Sequence, residues 1–395
     1  MTGRGVTYAK GFLAGAASGG VKHGKQERLD VALVWSERPC TSAAVFTRNE
    51  VIAAPCVVTR RHVGLGGVRA IVVNSGNANA CTGEQGERDA VAMAEAAAQR
   101  LEVRPEEVAV ASTGVIGVPL PVHRIQEAVS EVRLAVEGWD DASRAIMTTD
   151  TRPKVAEREV RLPAGTVRIG GIAKGAGMIH PDMATLLAFI TTDAEIPRDV
   201  LTAALRPAVD ATFNAISVDG DTSTNDTVLV LANGASGVSV GAGEADAFAL
   251  GLHEVCRELA LAVVADGEGV TKVFEVHVSG AATDSDARLA ARTVTNSNLV
   301  RTAIHGADPN WGRVLAAAGR SGARVDASRA TVRIADIAVF ASGSPRPYDD
   351  AAVRALFASP HIAISVELGL GSGTAVAWGA DLSAEYVRIN AEYTT

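Results

Sequence analysis

The junction at Thr185 constrains this chain more than any other feature. A glycine-bracketed lysine, Lys174, precedes a Met-Ala-Thr sequence that opens the apolar run Leu186–Ile190. Such a run predicts a buried strand over 185–190. Alternatively, a cut between Ala184 and Thr185 would free the α-amine of Thr185, with a reference pKa of roughly 7.7 to 8.0, as a base for its own weakly nucleophilic hydroxyl. From the residues alone, both interpretations stay open.

Length and composition limit the classes of protein to consider. At 395 residues the chain exceeds the size at which single cores usually stop growing, which favours two domains. Its net charge of −8, without a basic run, argues against nucleic-acid binding. No apolar segment approaches the roughly 20 residues that cross a bilayer. We therefore expect a cytoplasmic enzyme with neither nucleic acid nor membrane as a partner.

Cysteines, histidines and acids give no metal-site pattern. The four cysteines are widely spaced, and the N-terminal segment is not expected to be a secretory leader, which predicts thiols in a reducing compartment. The histidines lack His-x-x-x-His spacing, so a zinc enzyme is not expected. The segment Asp219–Asp226 superficially resembles a calcium loop. However, its sixth position is Thr224 instead of Gly, and its twelfth is Val230 instead of Glu. We expect this cluster instead to form turns, held by side-chain hydrogen bonds to the backbone, that shape a site from behind.

Strand-like and helix-like segments alternate irregularly, which predicts a mixed α/β (α+β) fold. A soft domain boundary is expected near residue 280, where the composition becomes small and polar, with a smaller C-terminal α/β domain over about 281–395. The predicted strands cover 30–35, 70–74, 108–112, 185–190, 226–231, 273–278, 330–340, 362–368 and 374–378. The predicted helices cover 87–101, 122–137, 198–211, 245–264 and 311–319.

Three short motifs, at residues 113–114, 174 and 268, have both a functional and a structural interpretation. Thr113-Gly114, after an apolar segment, can offer a hydroxyl and a backbone N–H to a developing oxyanion, although Ser-Thr-Gly is also a common turn at a strand end. Lys174 lies in a Gly-rich stretch and Glu268 between two glycines. Together they would supply a cation and an anion to a pocket, but each alone is equally consistent with a solvated side chain.

The combination of these motifs closely resembles the ornithine acetyltransferase (glutamate N-acetyltransferase) family of arginine biosynthesis. The resemblance runs from Val6-Thr7-Tyr8-Ala9-Lys10-Gly11-Phe12 to Glu392-Tyr393-Thr394-Thr395. It is carried by Ser112-Thr113-Gly114-Val115-Ile116-Gly117, by Lys174-Gly-Ala-Gly-Met-Ile-His-Pro-Asp-Met-Ala-Thr-Leu-Leu187 and by Asp266-Gly267-Glu268-Gly269.

The resemblance implies a fold, an assembly and a set of site residues. The fold would be a layered αββα sandwich with a smaller C-terminal domain. Self-cleavage between Ala184 and Thr185 would give an alpha chain, 1–184, and a beta chain, 185–395, associated as α2β2. Thr185 would be the nucleophile, and Thr113 with Gly114 the oxyanion hole. Substrate contacts would be made by Thr151, Lys174, Thr185, Glu268, Asn390 and Thr395, without a metal or cofactor.

The implied reaction transfers acetyl from N2-acetylornithine to glutamate through an acetyl-threonine. Some relatives also accept acetyl-CoA, and no residue here decides whether this chain does. Two other functions stay open. Gly237-Val-Ser239-Val-Gly241 matches the nucleophile elbow of serine hydrolases, although Asn233-Gly-Ala-Ser separates it from the preceding strand. A self-cleaving, non-enzymatic binding protein is the second alternative.

Overall fold

The computed structural model describes residues 3–22, 28–180 and 186–392. The strands are β1 (Phe12–Ala17), β2 (Val31–Ser36), β3 (Thr41–Phe46), β4 (Ala70–Asn77), β5 (Val108–Val115), β6 (Lys154–Leu162), β7 (Gly165–Lys174), β8 (Leu187–Thr192), β9 (Ile216–Ser217), β10 (Thr227–Ala232), β11 (Val273–Ala281), β12 (Thr331–Ile334), β13 (Ile337–Ala341), β14 (Ser344–Pro345), β15 (His361–Glu367) and β16 (Gly373–Ala380). The helices are α1 (Ala54–Leu65), α2 (Gly83–Leu101), α3 (Val122–Glu131), α4 (Trp139–Ala145), α5 (Arg198–Ala211), α6 (Ala245–Ala265), α7 (Asp284–Thr295), α8 (Asn298–His305), α9 (Trp311–Gly319), α10 (Asp350–Phe357) and α11 (Ala384–Glu392).

Three sheets organise these elements. The first has the order β1-β2-β4-β5, and the second has the order β3-β10-β8-β7-β6. Strand β8 lies in the middle of the second sheet, antiparallel to β7 and parallel to β10. A central strand is buried on both faces, which explains why Leu187–Thr192 is a continuous buried run without polar alternation.

The first and second sheets pack face to face between helices, which gives four layers. On β8, Leu187 and Phe189 belong to a core shared with the first sheet, whereas Ala188 and Ile190 belong to a core shared with α5 and α6. The outer face of the first sheet packs against α2 and α3. Since successive strand residues point to opposite faces, both sheets lie between helices. The predicted αββα sandwich is confirmed.

A third, seven-stranded sheet carries the C-terminal part of the chain. Its order is β14-β13-β12-β15-β11-β16-β9. Helices α7 to α10 pack against it around a core that runs from Phe274 to Ala377. Strand β9 joins this sheet from the preceding part of the chain and pairs with β16. Within the described ranges, no helix is long and apolar enough to cross a membrane.

One predicted helix ends early, and one predicted strand is divided in two. Helix α3 stops at Glu131 instead of continuing to residue 137, because Ala135 exchanges backbone hydrogen bonds with Ala14 of β1. The predicted strand over 330–340 is two strands, β12 and β13, separated at Ala335, whose φ of 48° is left-handed. In both places a tertiary contact or a tight turn overrides the apolar pattern.

Truncation of Phe189 should test the core between the two sheets. Phe189→Ala removes a fully buried ring from this core, so we expect a loss of about 3–5 kcal/mol in the free energy of unfolding. Denaturant unfolding followed by circular dichroism measures this loss. The control is Leu250→Ala on α6, where the side chain is 61% exposed. Equal destabilisation by the two changes would contradict the assigned core.

Candidate active site

A single pocket collects side chains from both sandwich sheets and from the loops beside them. Strand ends, the loop after α4, and helix α11 all contribute to it. Its lining residues are Gly20, Lys22, Arg28, Asp30, Ser75, Gly76, Ala78, Thr113, Gly114, Val115, Ile116, Thr148, Thr149, Lys174, Gly177, Met178, Leu186, Leu187, Ser223, Thr224, Asn225, Asp226, Glu268 and Asn390.

The Thr113-Gly114 motif lies where β5 reaches the pocket. Gly114 pairs with Gly76 of the parallel strand β4 and has a φ of 133°. A Cβ at residue 114 would lie 2.3 Å from the carbonyl carbon of Gly76. Only glycine therefore allows the two strands to approach here, and this approach brings Thr113 into the pocket.

Lys174 ends β7 and points into the same pocket. Lys174 lies opposite Leu187 in the register, and the Gly-rich stretch bends only after the strand, at residues 176–178. Its Nζ donates to Thr148 Oγ1 at 2.7 Å and to Thr113 Oγ1 at 3.2 Å. Because Thr113 Oγ1 accepts this bond, its own hydroxyl hydrogen is available for a ligand oxygen. Burial lowers the pKa of Lys174, and the nearby Asp150 carboxylate opposes this effect.

Behind Lys174, Asp150 fixes the backbone on both sides of the ammonium group. Its carboxylate accepts from Gly175 N at 2.7 Å and from Thr148 N at 3.0 Å. Burial on its own would raise the pKa of Asp150, but the ammonium groups of Lys174 and Lys154 lower it to about 2. Asp150 is therefore an anion throughout the neutral pH range. It does not line the pocket.

Glu268 supplies an anion to the pocket. Its backbone N donates to Ala176 O at 2.9 Å, and Asn390 Nδ2 of α11 donates to its carboxylate at 2.9 Å. Gly177 faces the carboxylate, since a Cβ there would lie 2.7 Å from it. The predicted residues Glu268 and Asn390 thus meet, although they are far apart in the sequence.

The polar segment Asp219–Asp226 holds the backbone of Met178 and Ile179. The carboxylate of Asp219 accepts from Met178 N at 2.5 Å and Ile179 N at 2.7 Å, and Ile179 forms a β-bridge with Thr222. Asn225 of the same cluster donates to Ser112 O at 2.9 Å. The sequence interpretation of this cluster as turns that shape the site is consistent with these contacts. Its members Ser223 to Asp226 also line the pocket.

Of the other site residues predicted from the sequence, three lie outside the described residues and one does not line the pocket. Ala184, Thr185 and Thr395 lie outside the described residues. Leu186, which follows Thr185 directly, lines the pocket. Thr151 is not among the lining residues, and its backbone N and hydroxyl donate to the carboxylate of Asp266.

Sequence reasoning missed Thr148, Thr149 and the charges behind Lys174. Thr148 is the partner of Lys174, and Thr149 lines the pocket. The polar run Thr148-Thr149-Asp150-Thr151 was the available signal, because the resemblance already pointed to its last member. Lys154 gives no such signal, since a lysine at the start of a strand usually faces solvent.

The nucleophile-elbow alternative lacks the required geometry. Ser239 lies in a β-bridge with Glu195, and its hydroxyl donates to Glu195 Oε2 at 2.7 Å. An elbow passes directly from a strand into a helix, whereas α6 begins only at Ala245. The described contacts of Ser239 therefore do not support a serine hydrolase.

Adding a methyl group at residue 114 should disrupt the strand approach beside Thr113. Gly114→Ala combines a disfavoured φ with a Cβ clash against backbone, so we expect a clear decrease in the midpoint of thermal unfolding. Gly117→Ala is the matched control, with a φ of 80° and nothing within 4 Å of an added Cβ. It should show only the φ cost, about 1–3 kcal/mol. If the two variants had the same midpoint, the steric argument would be wrong.

Comparison with known proteins gives the family. The sequence matches the ArgJ family over residues 13–395. The arginine biosynthesis bifunctional protein ArgJ of Symbiobacterium thermophilum is 50% identical, over 99% of this chain and 98% of its own length. A solved structure of the protein with this name from Bacillus halodurans is 40% identical, has a TM-score of 0.50, and covers 51% of this chain and 97% of its own. A solved ornithine acetyltransferase from Mycobacterium tuberculosis, complexed with ornithine, is 41% identical, has a TM-score of 0.41, and covers 47% of this chain and 98% of its own. The resemblance found in the sequence is therefore confirmed, and the chain belongs to the ArgJ family.

Proposed function

We propose that this chain is a glutamate N-acetyltransferase that moves acetyl from N2-acetylornithine to glutamate through an acetyl-threonine on Thr185. Membership of the ArgJ family makes it an acyltransferase of arginine biosynthesis. The observation that carries the residue assignment is the juxtaposition of Thr113-Gly114, Lys174 and Glu268 in a pocket that Leu186 also lines. Two charges of opposite sign thus line the same pocket as the residue that follows Thr185.

The pocket chemistry suits the charged groups of the substrates. N2-acetylornithine carries an α-carboxylate and a side-chain ammonium, whereas its α-nitrogen is a neutral amide, so its recognition requires a cation and an anion at a fixed separation. Lys174 binds the α-carboxylate that both substrates carry, and Glu268, oriented by Asn390, binds the side-chain ammonium of N2-acetylornithine. Thr151 and Thr395 stay proposed substrate contacts from the family resemblance.

The first half-reaction forms the acyl-enzyme. Thr185 Oγ attacks the acetyl carbonyl of N2-acetylornithine, and the α-amine of Thr185 accepts the hydroxyl proton. The developing oxyanion receives hydrogen bonds from the Thr113 hydroxyl and from Gly114 N–H. Collapse of the intermediate breaks the amide bond, and the proton held by the α-amine passes to the ornithine nitrogen as it leaves.

The second half-reaction regenerates the nucleophile. The amino group of glutamate attacks the acetyl-Thr185 ester, and its proton passes through the α-amine to Thr185 Oγ. N-acetylglutamate leaves, and the enzyme returns to its starting state. No metal or redox cofactor takes part in this proposed scheme, and acetyl-CoA is a possible second donor for the first half-reaction.

The α-amine must first be released by self-cleavage. In this proposal Thr185 Oγ attacks the Ala184 carbonyl, an N-to-O acyl shift produces an ester, and water hydrolyses it. The products are an alpha chain, 1–184, and a beta chain, 185–395, which we propose to associate as α2β2. The pocket beside Leu186 supports this step, because Asp219 already fixes the backbone of Met178 and Ile179 ahead of the junction.

Substitution of the nucleophile should block both the cut and the transfer. Thr185→Ala is expected to stay a single chain of 40.6 kDa on a denaturing gel and to form no N-acetylglutamate, because the attacking oxygen is missing. Ser239→Ala is the control and should be cleaved and active. A cleaved Thr185→Ala protein, or loss of activity only at Ser239, would refute the assignment. Terminal sequencing of the wild type should find a chain that begins Thr-Leu-Leu.

Two parallel assays should identify the donor and separate an enzyme from a binding protein. We expect wild-type protein with N2-acetylornithine and glutamate to form N-acetylglutamate, measured by mass spectrometry. When the cleaved protein, with both chains present, is incubated with N2-acetylornithine alone, its beta chain should gain the mass of one acetyl group. The second assay replaces N2-acetylornithine by acetyl-CoA, and its result decides between one and two donors. Cleavage without any acetyl gain would favour the non-enzymatic alternative.

A further inference from the structure

A fully buried lysine behind the pocket joins two carboxylates. Lys154 begins β6 and is 1% exposed. Its Nζ donates to Asp150 Oδ1 and to Asp266 Oδ2, both at 2.6 Å. A buried ammonium group is costly unless it is paired and hydrogen-bonded, and here it has two ionic partners.

Each of the two carboxylates is linked to one charged residue of the pocket, Asp150 to Lys174 and Asp266 to Glu268. Asp150 holds Gly175 N and Thr148 N, which flank Lys174 in the fold. Asp266 lies two residues before Glu268 and also binds Thr151. Lys154 therefore connects the backbone that carries the pocket cation to the backbone that carries the pocket anion.

The charges in this group balance. Asp150, Asp266, Lys154 and Lys174 contribute two negative and two positive charges, and Arg152 approaches Asp266 at 3.9 Å from the exposed side. Removal of Lys154 would leave two carboxylates sharing a buried region with Lys174. The carboxylates would then repel each other, and the backbone segments that they hold would separate.

We propose that Lys154 is a positioning residue that fixes the separation between Lys174 and Glu268, and with it the fit of an amino-acid substrate. It does not line the pocket itself. The inference rests on the proposed function for the identity of the substrates. It assigns to Lys154 a role in substrate affinity that is separate from the chemistry at Thr185.

The test compares a single variant with a charge-balanced double variant. Lys154→Met removes the ammonium group, whereas Lys154→Met with Asp266→Asn also removes one carboxylate and leaves Asp150 to balance Lys174. If Lys154 only stabilises the core, the double variant should recover both the thermal midpoint and the activity. If Lys154 is a positioning residue, the activity should stay low, because the connection between the two backbone segments is still missing.

We expect the double variant to recover most of the thermal midpoint lost in Lys154→Met. Its kcat/KM should nevertheless be lower than that of the wild type by about 10- to 100-fold, mainly through KM for glutamate and N2-acetylornithine. Self-cleavage of the precursor is followed on a denaturing gel, so that each rate refers to the cleaved fraction. The matched control is Arg144→Met, which removes the cation of an exposed pair with Asp140 and should leave KM unchanged.

Two results would overturn the inference. One is a double variant with wild-type KM values, and the other is a double variant that fails to fold, which would assign Lys154 to core stability. Calorimetric titration of wild type and double variant with glutamate and with ornithine provides a readout independent of turnover. If the wild type binds these amino acids without transferring acetyl, the proposed function fails, while weaker binding by the double variant still supports the positioning role.

Discussion

The core between the two sandwich sheets determines where the pocket can form. Leu187 and Phe189 of β8 fill this core together with side chains of β2, β4 and β5. Because the register of β8 is fixed on both sides, Lys174 of β7 lies opposite Leu187, and Thr227 of β10 lies opposite it on the other side. A slip by one residue would exchange the two faces of β8 and move both cores. The register therefore places the pocket lysine beside the residues that follow Thr185.

Charge burial is the second constraint on this site. Lys174 is 8% exposed and its charge needs compensation, yet Asp150, whose carboxylate accepts from the adjacent Gly175 N, does not line the pocket. The protein thus compensates the lysine from behind and leaves its pocket side in contact with two hydroxyl groups, those of Thr113 and Thr148. A substrate carboxylate can approach this side without displacing an ion pair, which would cost several kcal/mol in a buried environment.

The sequence indicated much of this arrangement, for reasons that differ between elements. Helices α5 and α9 have the predicted bounds, because each has a clear helical pattern and a defined start, with Pro197 before α5 and the Asn310 side chain capping α9. The early end of α3 was not predictable, since it depends on β1, more than a hundred residues earlier. In the pocket, Thr113, Lys174 and Glu268 were identified by motif and resemblance. Lys154 was not, because its role depends on partners at residues 150 and 266 that only the fold brings together.

The order of strands in the second sheet bears on the proposed cut between Ala184 and Thr185. Strands β3, β7 and β6 belong to the first piece, whereas β10 and β8 belong to the second, and the sheet order is β3-β10-β8-β7-β6. The two strands of the second piece are thus enclosed by strands of the first, with six residue pairs at each boundary. Neither piece alone can complete the sheet or bury both of its faces. A single broken peptide bond would leave these ladders and cores intact, so the free amine would be created in a protein that stays assembled around it.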